Sequence, residues 1–208
     1  MKQRGLFITF EGPDGSGKTT QIHLLKDWLE EKGYQCVLSR EPGGTVISEK
    51  IREIILDKEH KEMDSRAEAL LYAAARAQHV AQVIEPALSE GIMVICDRFT
   101  DSSMAYQAYG RGLGDGVRVI NEFATGGVGP DVTFLMRLAP SEGKSRIQGR
   151  EYDRMELEKL DFHERVYEGY KALEREHPER IIGIDASGTI EAIHEVIIKR
   201  MEELLSCR

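Results

Sequence analysis

The chain has 208 residues, 41% of them hydrophobic, and carries 36 acidic against 28 basic side chains, for a formal net charge of −8. This length predicts one domain, residues 1–208, with a single core, and the acidic balance argues against a nucleic-acid or membrane-surface binder. The three cysteines show no paired or metal-ligand spacing and no run reaches the ~18 apolar residues of a membrane span, so we expect a cytoplasmic protein.

Short apolar, β-branched runs alternate with helical patterns along the chain. Five of these runs predict buried strands: Leu6–Phe10, Cys36–Ser39, Ile92–Cys96, Val132–Leu138 and Ile181–Ile184. Apolar stripes at helical spacing predict helices after the first two strands and over Ala67–Leu88, Leu157–Leu173 and Ile190–Leu204. The alternation predicts an α/β fold, with a parallel sheet covered by helices on both faces.

Two local signals bear on the long central helix. The sequence Ser65–Glu68, SRAE, has the capping-box pattern, which predicts that Ser65 caps the helix and that Glu68 reaches back to its first turn. Pro86 should end or kink the helix, because proline lacks the N–H that the helical hydrogen bond requires.

The segment Gly12–Thr19, GPDGSGKT, follows the first predicted strand and precedes a helix, which is the context that a phosphate-binding P-loop requires. Glycines let backbone N–H groups curl around a polyphosphate, and the helix adds the positive end of its dipole. Lys18 can then reach the β and γ phosphates, and Thr19 can offer its hydroxyl to Mg²⁺. The alternative is a glycine-rich turn that binds nothing. The residues that we expect to bind ATP here are Gly12, Asp14, Gly15, Ser16, Gly17, Lys18, Thr19 and Thr20.

A second anion-binding position follows the third predicted strand, at Asp97 and Arg98. Ligands of α/β sheets bind beyond the carboxyl ends of the strands, so both side chains should lie beside the phosphate loop. Arg98 offers paired donors to a phosphate, and Asp97 can anchor Mg²⁺ or Thr19. A plain ion pair between the two is the alternative. A kinase needs such a second basic pocket, whereas a hydrolase or a switch needs a positioned water.

Further motifs follow the phosphate loop in order. They are REPGGT at Arg40–Thr45, DRF…S…AYQ…GRGL from Asp97, NEFATGGVGPDVTF at Asn121–Phe134, DRME at Asp153–Glu156 and IDASG at Ile184–Gly188. As a set they resemble the bacterial thymidylate kinase family nearly end to end. The resemblance implies a homodimeric P-loop nucleoside monophosphate kinase fold with a five-stranded parallel sheet and a short lid. It also implies transfer of the γ-phosphoryl group of ATP to dTMP, with Mg²⁺, in dTTP biosynthesis.

The resemblance also implies roles at the acceptor nucleotide. Asp14 would lie near the sugar and the metal, and Arg98 would hold the acceptor phosphate. Tyr72 would stack on thymine and Arg76 would meet the base, although without the resemblance they suggest a core aromatic and a solvated charge. The remaining acceptor positions are Ser103 near the base edge, Tyr106 against a ribose 2′-hydroxyl, and Arg40, Pro42 and Gln107.

The Glu41–Pro42 peptide bond is expected to be cis, since the related loop of the family often is. The resemblance also implies a dimer interface along the long central helix and near Asn121–Ala124.

The lid, residues 141–156, should supply catalytic charge, because the phosphate loop has no basic residue between Pro13 and Ser16. Arg146, Arg150 and Arg154 are spaced four apart, which would align them on a helix, although Gly149 suggests a break. A solvated basic face is the alternative. We expect Arg150 to act on the transferred phosphate with Lys18, Arg98 and Asp14, and Arg146 and Arg154 to bind ATP. Thr19 and Asp97 are the expected metal positions.

Two positions depart from the family's pattern. Gly149-Arg150 has its two residues in reversed order, which puts the register of Arg150 in question, and Met136-Arg137 stands where the family commonly has leucine-aspartate. Two other functions stay open on the residues alone: a kinase of another pyrimidine monophosphate or of a deoxynucleoside, and a nucleotide-binding switch without an acceptor.

Overall fold

The computed structural model describes residues 3–146, 149 and 151–206. Its strands form one five-stranded parallel sheet in the order β2-β3-β1-β4-β5. They are β1 Phe7–Glu11, β2 Cys36–Arg40, β3 Met93–Asp97, β4 Val132–Arg137 and β5 Ile181–Asp185. Each strand was predicted, with ends shifted by no more than one residue. The α/β expectation is therefore confirmed.

Helices lie on both faces of the sheet. They are α1 Lys18–Glu31, α2 Val46–Leu56, α3 Ser65–His79, α4 Glu85–Ser89, α5 Thr100–Ser103, α6 Gly116–Thr125, α7 Pro140–Arg146, α8 Leu160–Glu176 and α9 Ile190–Ser206. Two π-helical segments extend this set, Val80–Ile84 between α3 and α4 and Met104–Gly110 after α5. No helix within the described ranges is both long and apolar enough to cross a bilayer.

The core is divided by the sheet, because side chains alternate between the two faces along each strand. Ile8 and Phe10 of β1 pack with Leu25 of α1 and Ile197 of α9 on one face. Phe7 packs on the other face, where Thr9 bonds the hydroxyl of Thr133 in β4 and Glu11 points toward α5 and α8. This second face has buried polar groups close to the carboxyl end of β1, next to the phosphate loop.

The capping-box interpretation of Ser65–Glu68 is wrong. Asp64 precedes α3 and accepts a hydrogen bond from the N–H of Arg66 at 2.9 Å, so it caps the helix in place of Ser65. Glu68 does not reach back to the first turn; its side chain is buried on the inner face of α3 and binds other groups. With Asp64 as the cap, Glu68 is the fourth helical residue, one position beyond the place from which a capping box reaches back.

Pro86 does not end the central helical run, which continues to Ser89. The hydrogen bonding changes to the π-helical pattern at Val80–Ile84, and Pro86 then sits in the first turn of α4, where a missing N–H costs little. The predicted disturbance is therefore a local change of helical register upstream of the proline.

A pair of leucine substitutions tests the assignment of the core. Leu29 of α1 is fully buried, whereas Leu157 is 57% exposed. We expect Leu29→Ala to lower the free energy of unfolding by about 2–5 kcal/mol, because truncating a fully buried side chain leaves a cavity that the surrounding core fills only in part. Leu157→Ala should change it by no more than about 0.5 kcal/mol. Urea unfolding followed by circular dichroism measures both, and equal losses would contradict the assignment.

Candidate active site

The phosphate loop joins β1 to α1, and glycine is required at two of its positions. Gly12 has φ +128°, and a Cβ there would lie 2.4 Å from the carbonyl oxygen of Met136 in β4. Gly17 precedes α1 with φ +86°, a left-handed conformation that places no side-chain cap on the helix. The N–H groups of the first turn of α1 are therefore left for an anion.

Lys18 is buried at the start of α1 and folds over the loop. Its ammonium donates to the carbonyl oxygens of Gly12 at 3.1 Å and Pro13 at 2.9 Å. Burial lowers the pKa of Lys18, and the neighbouring charge of Arg98 lowers it further. Thr19 and Thr20 are exposed beside it, and the buried hydroxyl of Ser16 has no hydrogen-bond partner among the described residues. This arrangement is typical of a phosphate site.

Arg98 lies directly after β3 in an unusual backbone conformation. Its φ is +72°, the one positive value of a non-glycine residue in the described part of the chain, and such strain typically costs about 1–3 kcal/mol. Its guanidinium donates to Asp14 at 3.0 Å and to the hydroxyls of Ser102 and Tyr170, each at 3.2 Å. The same group lies 5.3 Å from the ring centre of Tyr106. Arg98 thus links the phosphate loop to the pocket beside it.

That pocket is a cleft, open to solvent, between Asp14 of the phosphate loop and Pro42 of the loop after β2. The structure brings together in its lining most of the predicted acceptor residues: Asp14, Pro42, Tyr72, Arg76, Arg98, Ser103, Tyr106 and Gln107. Arg52, Ser102, Asp153 and Met155 also line it and were not predicted. Tyr72 and Tyr106 are half-buried, and burial raises the pKa of both hydroxyls, so both stay neutral near pH 7.

Arg76 is the centre of a buried network at one end of the pocket. Its Nε donates to Glu41 at 2.7 Å, its Nη1 to the hydroxyl of Ser103 at 2.9 Å and its Nη2 to the carbonyl of Phe99 at 2.9 Å. Glu41 also pairs with Nδ1 of His79 at 2.9 Å. These bonds fix the loop after β2, whose Glu41–Pro42 bond is cis, as the resemblance implied.

Arg40 is not brought into the pocket. It ends β2 with an exposed side chain that pairs with Glu49 at 3.0 Å and donates to the carbonyl of Pro42 at 3.2 Å. It therefore stabilises the loop after β2 from outside, and its predicted contact with the acceptor is not supported by this position.

The lid arginines do not share one helix. Arg146 ends α7 and donates to the carbonyls of Ala186 at 3.1 Å and Gly15 at 3.4 Å, beside the phosphate loop. Arg150 lies outside the described residues. Arg154 is buried, with its guanidinium donating to Glu68 and to the carbonyl of Ile55, each at 2.7 Å. Residues 151–153 are not helical, so the predicted alignment fails there, and Arg154 is not placed to bind ATP.

Asp97 and Arg137 end their strands differently. Asp97 ends β3, as predicted, and its buried carboxylate oxygen Oδ1 has no hydrogen-bond partner among the described residues. Arg137 ends β4 with an exposed side chain that lies 3.5 Å from Glu174 and donates to the carbonyl of Gly183 at 3.4 Å. The departure at Arg137 therefore faces away from the phosphate loop.

Comparison with known proteins decides the family. A family model described as thymidylate kinase matches residues 10–197. The chain belongs to the thymidylate kinase family. Thymidylate kinases of Bacillus pumilus and Caldanaerobacter subterraneus are 49% and 50% identical to it, with 97% of each chain covered. A solved thymidylate kinase from Ehrlichia chaffeensis matches with a TM-score of 0.78 at 36% identity, covering 96% of this chain and 99% of that one. The expected family and P-loop kinase fold are confirmed.

Sequence reasoning missed a buried carboxylate hub at Glu68. Glu68 Oε1 accepts hydrogen bonds from Gln107 at 2.9 Å and Arg111 at 3.1 Å, and Oε2 from Arg111 at 2.8 Å and Arg154 at 2.7 Å. Burial alone would raise the pKa of Glu68, but the hydrogen bonds from Arg111 and Gln107 outweigh it and hold the pKa below its usual range. The hub ties α3, the pocket wall and the end of the lid together.

Removing the charge of Glu68 should destabilise the fold. We expect Glu68→Gln to lower the free energy of unfolding by roughly 3–5 kcal/mol, because it takes the carboxylate partner away from the buried Arg154. Glu158, a partly exposed partner of Arg111, supplies the control, and Glu158→Gln should cost no more than about 1 kcal/mol.

The effect of Glu68→Gln should also depend on pH. Because the folded pKa of Glu68 is depressed, its contribution is complete above the ordinary carboxyl pKa of about 4.5 and is lost as the pH falls through the folded value. Unfolding curves of wild type and Glu68→Gln should therefore converge in acid. A difference that did not begin to shrink as the pH fell below about 4.5 would argue against an ionised hub.

Proposed function

We propose that the chain transfers the γ-phosphoryl group of ATP to thymidine monophosphate and releases dTDP and ADP, as a step toward dTTP. The observation that carries this proposal is the Arg98–Asp14 pair, 3.0 Å apart, which connects the phosphate loop to a second pocket lined by arginine and tyrosine side chains. A hydrolase or a switch would have no use for that second basic pocket. Membership of the thymidylate kinase family supports the same conclusion.

The site supplies position and positive charge. In our proposal the β and γ phosphates of ATP replace the loop carbonyls as partners of Lys18, and the dTMP phosphate binds Arg98. The acceptor oxygen then faces the γ-phosphorus in line, and the two cations neutralise charge that develops in the transition state. Asp14 lies between the two phosphates and orients Arg98 and the acceptor sugar. No protein nucleophile is needed, because the dTMP phosphate oxygen itself attacks.

Base and sugar recognition follow from the pocket lining. Tyr72 offers a ring face for stacking on thymine, and the Arg76–Ser103 pair lies at the polar end of the pocket. Gln107 is held by Glu68 with its amide at the pocket wall. The ring of Tyr106 would crowd a ribose 2′-hydroxyl, which favours deoxynucleotides.

Mg²⁺ fits the residues beside the phosphate loop. The described residues contain no group of three or more histidine, cysteine or acidic side chains that could cage a metal. Mg²⁺ bound to a nucleotide commonly needs only one or two protein ligands, with phosphate and water completing the set. Thr19 and the unpartnered Oδ1 of Asp97 would supply them. When bound, Mg²⁺ neutralises phosphate charge.

We further propose that residues 1–208 act as one kinase domain whose lid, near residues 141–156, closes over ATP. Gly143 of α7 supports this, because a Cβ there would lie 2.6 Å from the carbonyl of Asp14, so the lid helix packs directly on the loop. Arg146 and Arg150 are the proposed lid cations. Cys36 and Cys96 are free thiols, which supports a reducing, cytoplasmic location.

A homodimer is proposed from exposed apolar side chains on three helices that pack together, α2, α3 and α6. Phe123 of α6 is 91% exposed, and Val119, Leu70, Val46 and Ile47 are each more than half exposed. Apolar side chains exposed on neighbouring helices are typical of an interaction surface. The helices named from the resemblance, the central helix and the one containing Asn121–Ala124, carry part of it.

The activity is tested by ADP formation with ATP, Mg²⁺ and dTMP, dUMP, UMP or CMP in turn, beside a reaction without acceptor. We expect strong preference for dTMP and a fall in kcat of about 10²–10³ in Lys18→Met, because a charge on the transferred group is lost. Lys26→Met, on the exposed side of α1, is the matched control and should retain wild-type turnover. Acceptor-independent turnover would indicate a hydrolase or a switch; equal use of UMP would indicate a broader pyrimidine kinase.

The dimer is tested by light scattering after size exclusion. Phe123→Glu should convert a dimer to monomers, because it buries a charge in an apolar interface. Val196→Glu, at a position 45% exposed on α9, should leave the dimer intact. A monomeric wild type, or dissociation by both variants, would contradict the proposed surface.

A further inference from the structure

Glu11 is a buried carboxylate that the chemistry above does not use. It is the last residue of β1, immediately before the phosphate loop, and it is fully excluded from solvent. Burial raises the pKa of Glu11 to about 7, and the nearby Asp101 raises it as well, whereas Arg98 and the bonds from Ser102 and Phe99 lower it. A carboxylate is costly at such a position, and an apolar side chain would fill the space without that cost. We therefore expect its carboxylate oxygens to make specific hydrogen bonds that an apolar side chain could not make.

Both carboxylate oxygens of Glu11 accept hydrogen bonds, from Ser102 of α5, from Phe99 just before α5 and from Tyr170 of α8. Oε1 accepts the N–H of Phe99 at 2.7 Å and that of Ser102 at 3.2 Å. Oε2 accepts the hydroxyl of Ser102 at 2.5 Å and that of Tyr170 at 2.9 Å. All four bonds can form at once only when Glu11 carries no proton, which is the form that predominates above its pKa of about 7.

Those partners are also the partners of Arg98. A hydroxyl has one proton, and a bond to a carboxylate requires Ser102 and Tyr170 each to donate theirs to Glu11, although the two hydroxyl oxygens also lie 2.9 Å apart. Their lone pairs are therefore free to accept from Nη1 of Arg98, at 3.2 Å in each case. Glu11 orients the two hydroxyls, and the hydroxyls orient the guanidinium.

Glu11 also fixes the backbone around Arg98. The N–H of Arg98 donates to the carbonyl of Phe10 at 2.9 Å, and the next N–H, that of Phe99, donates to Glu11. These two bonds bracket the residue whose φ is +72°. A strained conformation persists only where its surroundings hold it, and Glu11 supplies one of the two holding bonds.

We propose that Glu11 is a positioning residue for the acceptor phosphate. It holds both the strained backbone and the guanidinium of Arg98 in the geometry that binds the phosphate of dTMP, without touching either substrate. The inference rests on the proposed function, since it assigns the ligand of Arg98.

The test compares dTMP with thymidine, which has the same base and sugar but lacks the phosphate. Calorimetry should show that Glu11→Gln weakens dTMP binding by about tenfold or more, the effect expected for disturbed hydrogen bonds to a charged group. Thymidine binding should stay within about twofold. A purely structural role would weaken both ligands alike.

Two further variants keep the test decisive. Asp101, on α5, is a second buried carboxylate and pairs with Arg180 at 2.6 Å. Asp101→Asn should lower stability but leave the ratio of dTMP affinity to thymidine affinity unchanged. Tyr170→Phe removes one orienting hydroxyl and should weaken dTMP about threefold or more without affecting thymidine, and it remains informative if Glu11→Gln does not fold.

Equal weakening of dTMP and thymidine in Glu11→Gln or Tyr170→Phe, or no weakening in either, would overturn the positioning role while leaving the kinase intact. Wild-type protein that neither phosphorylates dTMP nor binds it more tightly than thymidine would instead overturn the proposed function, and the inference with it.

Discussion

The ion pair between Arg98 and Asp14 is the contact on which the site depends. β1 and β3 are adjacent parallel strands, with Phe10 opposite Asp97, so the residues that follow them emerge side by side. The phosphate loop follows β1 and Arg98 follows β3, and their side chains meet at 3.0 Å. The strand order thus brings the phosphate loop and the pocket beside Arg98 together at the carboxyl end of the sheet. The rest of the site holds that meeting point.

Buried carboxylates do much of the holding. Glu11 organises the partners of Arg98, Glu41 fixes Arg76 and His79, and Glu68 ties Gln107 to Arg154. Glu11 and Glu68 each receive donors from different elements and Glu41 receives two from α3, which offsets the desolvation of each charge. The acidic balance of the chain is therefore partly interior, and it positions the cations of the nucleotide pocket without repelling phosphate at the surface.

Much of this could be predicted from the sequence. The strands, the phosphate loop and the position of Arg98 follow from local patterns, because apolar runs and glycine spacing act over a few residues. Most of the lining of the pocket beside Arg98 was also predicted once the motifs were taken as a set. Glu68 and Arg154 could not be predicted, because their burial depends on contacts between residues 86 positions apart. Glu11 was missed for the same reason: its partners lie on α5 and α8, far along the chain.

The central claim is that ATP and dTMP meet across Arg98 and Asp14. The most direct measurement is calorimetric titration with a bisubstrate analogue in which adenosine and thymidine are joined through a chain of phosphates. It should bind about 100-fold more tightly than ATP or dTMP alone, because the second contact becomes intramolecular. Arg98→Met should remove most of that advantage. An analogue that bound no more tightly than ATP would show that the two sites do not adjoin, and would contradict the account.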